Sequence, residues 1–307
     1  MDKKYKKQIN EFLNEFDNKK LDREKLWDLC NSFYLFDANN LGISSDFRII
    51  LKDDDNLGRI ASVNNSEKEM KLNYTRLLIL EKYKMKSNDP NFVNWLNDFI
   101  INYENKDEHT EYETIIYNKV KDPNWSKYLN YLGNYNYLPF EWIQAIFHEN
   151  QHIKQKEKFE EIKNKTNLSN DDIVYLFIKT YEDMKNKLTT IDKLENYKRD
   201  NSVYPIEVDA EFRALKLLKD YYDVCNQKIL LEEYFRFSDR TANMTKEEYI
   251  NRIISDFNYL YSLCEKNNID CKIDYFRCID NKEIILNYLF KTYETSKLYV
   301  KSEIEKQ

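Results

Sequence analysis

The sequence predicts a mainly α-helical fold of the α+β class, with long helices around one small antiparallel three-stranded sheet. Three observations lead there. The 307 residues include only 3 glycines and 4 prolines, too few for the many tight turns of a sandwich or barrel. Apolar residues recur at helical spacing over most of the chain and alternate with period two in one stretch alone. Hydrophobic residues make up 42% and aromatics 15%, enough to bury a core in one or two domains.

Residues 3–36 read as two helices. Phe12, Leu13 and Phe16 face inward from the first, and Leu26, Leu29, Cys30 and Phe33 from the second. Strands follow at 47–51, 59–63 and 69–73, separated by turn signals at 53–55 with Gly58 and at 64–66. Helical spacing resumes at Tyr74. Pro90 opens a helix carrying Phe92, Trp95, Leu96, Phe99 and Ile100, and Pro123 another carrying Trp125, Tyr128, Leu129 and Leu132. After a loop at 133–137, Pro139 sits where a first-turn proline belongs and starts a helix to about residue 163. Its apolar positions are Phe140, Ile143, Ile146 and Phe147.

Ser169 and Asp172 make a capping-box-like start, with Asp in place of Glu or Gln, for a helix carrying Ile173, Leu176, Phe177 and Tyr181. Residues 200–202 break the pattern and Pro205 opens the next helix. Thr245 and Glu248 form a capping box before Tyr249, Ile250, Ile253 and Ile254. The expected organisation is a domain over 1–224, holding the N-terminal helices and the sheet at about 47–73. A helical extension over 225–307 follows. No internal repeat, low-complexity tract or Gly/Ser linker interrupts it.

Net charge is -6, with both signs interspersed and no basic stripe, so nucleic acid is not an expected partner. No apolar run reaches membrane length, and no apolar segment of signal-peptide type follows the charged N-terminus. The 5 cysteines, Cys30, Cys225, Cys264, Cys271 and Cys278, are odd in number and unpatterned, as expected of reduced thiols in a cytoplasm. Cys271 and Cys278 lack zinc-knuckle spacing and read as structural. The 25 tyrosines fit a compositional bias shared with Asn, Lys and Ile, and carry no functional weight by themselves.

The chemistry concentrates in His148-Glu149-Asn150-Gln151-His152, which uses two of the 3 histidines. On a helix, positions i and i+4 lie on one face. Both imidazoles can then point a nitrogen at a single zinc ion, at about 2.0–2.1 Å. Glu149 projects beside that face and is placed to act as general base on the activated water. The plain alternative is a surface helix that carries two histidines by chance.

Two histidines leave zinc one protein ligand short. His109 lies in the charged stretch 105–109 and reads as solvated. The residues after His152 lack the Gly and third His of the metzincin pattern. Glu207 is the better candidate. It shares a helical face with Ala210, Ala214 and Leu217, and the small alanines would let that helix approach another closely. Asp209 and Glu211 are the alternatives. An acidic residue in a first turn also stabilises a helix through its dipole, which is the structural reading of Glu207. Tyr204 is a further candidate, as an oxyanion donor, against simple packing.

The segment Glu207-Val208-Asp209-Ala210-Glu211 resembles the Glu-x-x-Ala-Asp motif of gluzincin zinc peptidases, in which a downstream helix supplies a glutamate to a His-Glu-x-x-His helix. The resemblance implies Glu207 as third ligand. Glu211 stands where the family has the aspartate that often supports the first histidine. His148 to Gln155 is similar to the longer His-Glu-x-x-His-x-x-Gln form of uncharacterised bacterial members. The hairpin ending at Leu72-Asn73 resembles the short sheet that precedes the metal helix. The likeness spans about 47–75 and 138–222. It implies a zinc metallopeptidase acting on a peptide or protein, without membrane or nucleic acid. A helical interaction protein with a vestigial or structural zinc site is the competing expectation, and a zinc hydrolase for another bond a third. A strand 69–73 open along its edge would favour the peptidase, because peptides bind by adding a strand.

Overall fold

The computed structural model describes residues 3–18, 23–43, 46–53, 61–74, 91–109, 114, 117, 138–163, 165–190, 205–222 and 244–304. The elements are helices α1 (Lys3–Asn18) and α2 (Arg23–Leu41), and strands β1 (Arg48–Lys52), β2 (Ala61–Asn64) and β3 (Glu69–Asn73). Helices α3 (Asn91–Glu104), α4 (Leu138–Ile162), α5 (Asn170–Thr190), α6 (Pro205–Tyr222), α7 (Lys246–Lys266), α8 (Lys272–Asp280) and α9 (Lys282–Ile304) follow. The fold is mainly helical with one small sheet. The helix expected after Pro123, the continuation beyond Tyr74, the loop at 133–137 and the domain boundary at 224 lie outside the described residues. None of the helices described is long and apolar enough to cross a membrane.

Two compact units can be distinguished. One comprises 1–37, 46–149 and 220–230, and the other 38–45, 150–219 and 231–307.

In the first unit, Phe12 of α1 and Phe33 of α2 meet edge to face at 5.2 Å, and Phe33 meets Phe147 of α4 at 5.3 Å. Such pairs add about 0.5–1.5 kcal/mol beyond the area they bury. The sheet corrects the antiparallel expectation: its order is β1-β3-β2, with β1 parallel to β3 and β2 antiparallel to it. Burial explains the order. β3 is the most buried strand, whereas β1 is exposed at both ends and β2 is half-buried throughout. In the centre, Met70 gains Ile49 on one side and Val63 on the other, and Leu72 gains Leu51 and Ala61. These cross-strand neighbours lie on one face.

The outer edge of β1 is closed by a helix. The Arg48 N–H donates to Lys68 O across the ladder, so the carbonyls of Phe47, Ile49 and Leu51 face away from β3. Helix α2 supplies a donor to each: Tyr34 Oη at 3.2 Å, Trp27 Nε1 at 2.9 Å and Arg23 Nη2 at 2.6 Å. Positions 23, 27 and 34 share one helical face, and covering an edge in this way keeps it from pairing with other chains. Helix α2 ends at Gly42, whose φ of +64° is costly for other residues. The Gly42 N–H reaches Asn39 O and the Ile43 N–H reaches Ala38 O, the two bonds of a Schellman cap.

The second unit is built on α5. Ile173, Phe177, Tyr181, Met184 and Leu188 are buried at helical spacing in one cluster with Ile253, Phe257 and Leu260 of α7 and with Ile285 and Leu289 of α9. Each such side chain contributes about 1.5–3 kcal/mol by leaving water. Both caps read from the sequence are formed. Ser169 N–H donates to Asp172 Oδ2 at 2.9 Å and Asp172 N–H to Ser169 Oγ at 3.2 Å. Thr245 and Glu248 exchange the corresponding pair at the start of α7.

Candidate metal centre

Helix α4 places the motif. Pro139 is its second residue, compatible with a first turn because the N–H it lacks would have no helical partner there. Trp142, Ile143, Ile146, Phe147 and Ile153 are buried, and so are the polar Asn150, Gln151 and Gln155. A helix buried on several faces is not the surface helix of the plain alternative. Glu149 is buried beside His148, while His148 and His152 remain half-exposed.

Helix α6 begins at Pro205 and carries Glu207 in its first turn. Ala210 and Ala214 are completely buried, the close approach expected of that face. His148, His152 and Glu207 each offer one ligand atom, and these atoms all lie within 4.8 Å of one another. His152 Nε2 and Glu207 Oε2 are 3.5 Å apart. Atoms bound tetrahedrally to zinc at 2.0–2.1 Å stand about 3.3 Å apart, so this pair already has the required separation. Two imidazoles and one carboxylate are donor types that could hold a metal ion, and zinc is among the ions that take such a set.

Around His152 lies a polar cluster. His152 Nδ1 is 2.8 Å from Gln155 Oε1, and Gln155 Nε2 donates to Asp209 Oδ2 and to Ile206 O, each at 2.9 Å. Gln151 Nε2 donates to the same Asp209 oxygen at 2.7 Å and to Tyr175 Oη at 3.1 Å. Tyr288 of α9 donates to Asp209 Oδ1 at 3.2 Å. Burial pushes Tyr175 up to about 12, with the Asp209 charge adding to it. Burial and Asp209 hold Tyr288 well above the usual phenol range. Both phenols therefore keep their protons at neutral pH.

The other candidates fare differently. Asp209, an alternative ligand in the sequence, anchors glutamines instead. Glu211 is half-buried, and Asp209, two residues earlier, bonds the Gln155 that meets His152. Tyr204 lies outside the described residues. His109 is exposed and stacks on Tyr103 with centroids 3.7 Å apart, and is no member of the ligand group. The described cysteines are free thiols, and burial raises those of Cys30, Cys264, Cys271 and Cys278, as suits structural residues. Gln155 is the last residue of the longer motif in the sequence, which by itself assigns it no role. Its signal was the spacing, since a residue at i+3 shares the face of His152.

Compared with protein-family models, curated proteins and solved structures, the chain finds no significant match.

Proposed function

We propose that this protein is a zinc-dependent hydrolase of gluzincin type acting on peptide bonds. The observation that carries the reading is the convergence of His148, His152 and Glu207 from two helices onto a space of ion size. Zinc, when bound, supplies a Lewis acid that acidifies water to near pH 7 and polarises a carbonyl. His148 and His152 hold the ion from one face of α4, and Glu207 completes the set from α6. Glu149 sits in the turn of the histidines, shielded from bulk solvent. It takes the proton of the attacking water and returns it to the leaving amine. The proposed setting is a cytoplasm, with a peptide or protein as substrate and neither nucleic acid nor membrane as partner.

One observation favours a second reading. β3 is paired on both sides, so residues 69–73 have no open edge to receive a substrate strand, and the edge of β1 is closed by α2. This removes the specific support that an exposed 69–73 strand would have given a peptidase, and leaves room for a helical interaction protein with an idle zinc site, or for a hydrolase of another bond. Metal content and a substrate screen decide. The purified chain should hold about one zinc, removable by a chelator. His148→Ala should lose the metal, and Glu149→Gln should keep it while losing cleavage of a peptide library. Zinc without Glu149-dependent cleavage would favour the idle site, and a chain that never retains zinc would sink the reading.

A further inference from the structure

The hydrogen bonds around Gln155 fix its orientation. Its amide nitrogen faces Asp209 Oδ2 and Ile206 O, and both of these only accept. A flipped amide would set three acceptors against one another with no proton among them, so the oxygen must face His152. An amide oxygen also only accepts. At 2.8 Å, His152 must therefore donate from Nδ1. A neutral imidazole with its proton on Nδ1 presents a bare lone pair at Nε2. That nitrogen is the atom facing Glu207 Oε2 at 3.5 Å.

We propose that Gln155 is a positioning residue, oriented by Asp209, that holds His152 in the tautomer whose unprotonated Nε2 can bind the metal. The inference rests on the zinc reading for its purpose and on the bonds above for its geometry. Asp209 acts at one remove. It receives Gln151 and Gln155 on one oxygen and Tyr288 on the other, so α4, α6 and α9 converge on it. Gln155 also grips the carbonyl of Ile206, the residue before Glu207. One side chain thus orients one ligand and fixes the backbone next to another. The C-terminal helix α9 thereby becomes part of the support of the centre.

The test reads the imidazole and the metal separately. With 3 histidines in the chain, ring nitrogen NMR of the metal-free protein resolves each at a pH where His152 is neutral. Its proton is expected on Nδ1 in the wild type, and on a mixture of both nitrogens in Gln155→Met. Zinc affinity, measured against a competing chelator, is expected to fall about 10- to 100-fold in Gln155→Met, the usual effect of losing a partner behind a metal-bound histidine. Asp209→Leu should fall with it. Asp209→Asn keeps an oxygen for both glutamine amides and should restore both the tautomer and most of the affinity. A wild-type His152 protonated on Nε2, or a Gln155→Met variant that binds zinc as tightly as wild type, overturns the inference while leaving the zinc site intact. Should the wild type bind no zinc, the proposed function falls, and the ring spectrum still decides whether Gln155 sets the tautomer.

Discussion

Two buried aspartates in the second unit are held in opposite ways. Asp172, 1% exposed, receives Lys165 Nζ at 2.8 Å on one oxygen and Lys158 Nζ at 3.2 Å on the other, besides Ser169. Asp209, 8% exposed, receives two glutamine amides and a tyrosine hydroxyl. No lysine or arginine among the described residues bonds to it. The first carboxylate is neutralised, and its cluster is a fastener that pins the start of α5. The second is met by neutral donors, which solvate a carboxylate without pairing it with a cation. Its negative charge adds to that of Glu207 near His152, and such a field favours a cation. Burial and hydrogen bonding are thus shared by both clusters, and the presence or absence of paired cations separates the Asp172 cluster from the one beside the proposed metal site.

The largest expected effect tests whether the two clusters are separate. Zinc at a thousandfold excess over its dissociation constant should stabilise the wild type by about 4 kcal/mol, read as a rise in melting temperature that a chelator reverses. His148→Ala and Glu207→Ala should lose this increment. Asp172→Asn should melt earlier than wild type yet gain the same increment. Loss of the increment in Asp172→Asn as well would show that both clusters serve the metal, and the contrast would collapse.

A smaller effect separates the two in the metal-free protein. Asp209→Leu strands the amides of Gln151 and Gln155 and the Tyr288 hydroxyl in the interior, where an unpaired donor costs about 1–3 kcal/mol. In Asp172→Leu the long lysines can turn to solvent, since Lys158 and Lys165 are 19% and 38% exposed. Chemical denaturation should therefore find Asp209→Leu the less stable of the two, and equal stabilities would refute the account.

The sequence showed the fastener more fully than the cluster beside the proposed metal site. Ser169 and Asp172 are three residues apart, so the capping geometry follows from local spacing, as it does for Thr245 and Glu248. The bounds of β3 and the starts of α4 and α6 were likewise local, carried by alternation and by Pro139 and Pro205. Convergence of Glu207 on the histidines was inferred from one helical face with small alanines. The role of Asp209 was not legible, because its partners come from α4 and α9, and no spacing within α6 marks which carboxylate turns inward. The sheet order was hidden for the same reason. Adjacent strands suggest hairpins, whereas burial of Met70 and Leu72 from both sides, together with three α2 donors on the carbonyls of β1, decides which strand is central.

The smallest effect is a matter of pH and carries the sign of the contrast. Burial alone would raise the Asp172 carboxyl, but Lys165, Ser169 and Lys158 outweigh it and hold the group far below its usual range. A carboxylate whose folded pKa is depressed stabilises the fold fully above its unfolded value, about 3.9, and loses that contribution as pH falls toward the folded value. The stability gap between wild type and Asp172→Asn should then be constant from neutral pH down to about 5 and narrow below about 4. Losing the cap's charge should make that gap about 1 kcal/mol at its widest. Denaturant titrations at a series of pH values would measure it. A gap that stays flat through pH 3, while both proteins remain folded, would mean that the lysines do not hold Asp172 ionised, and that charge pairing is not what distinguishes it from Asp209.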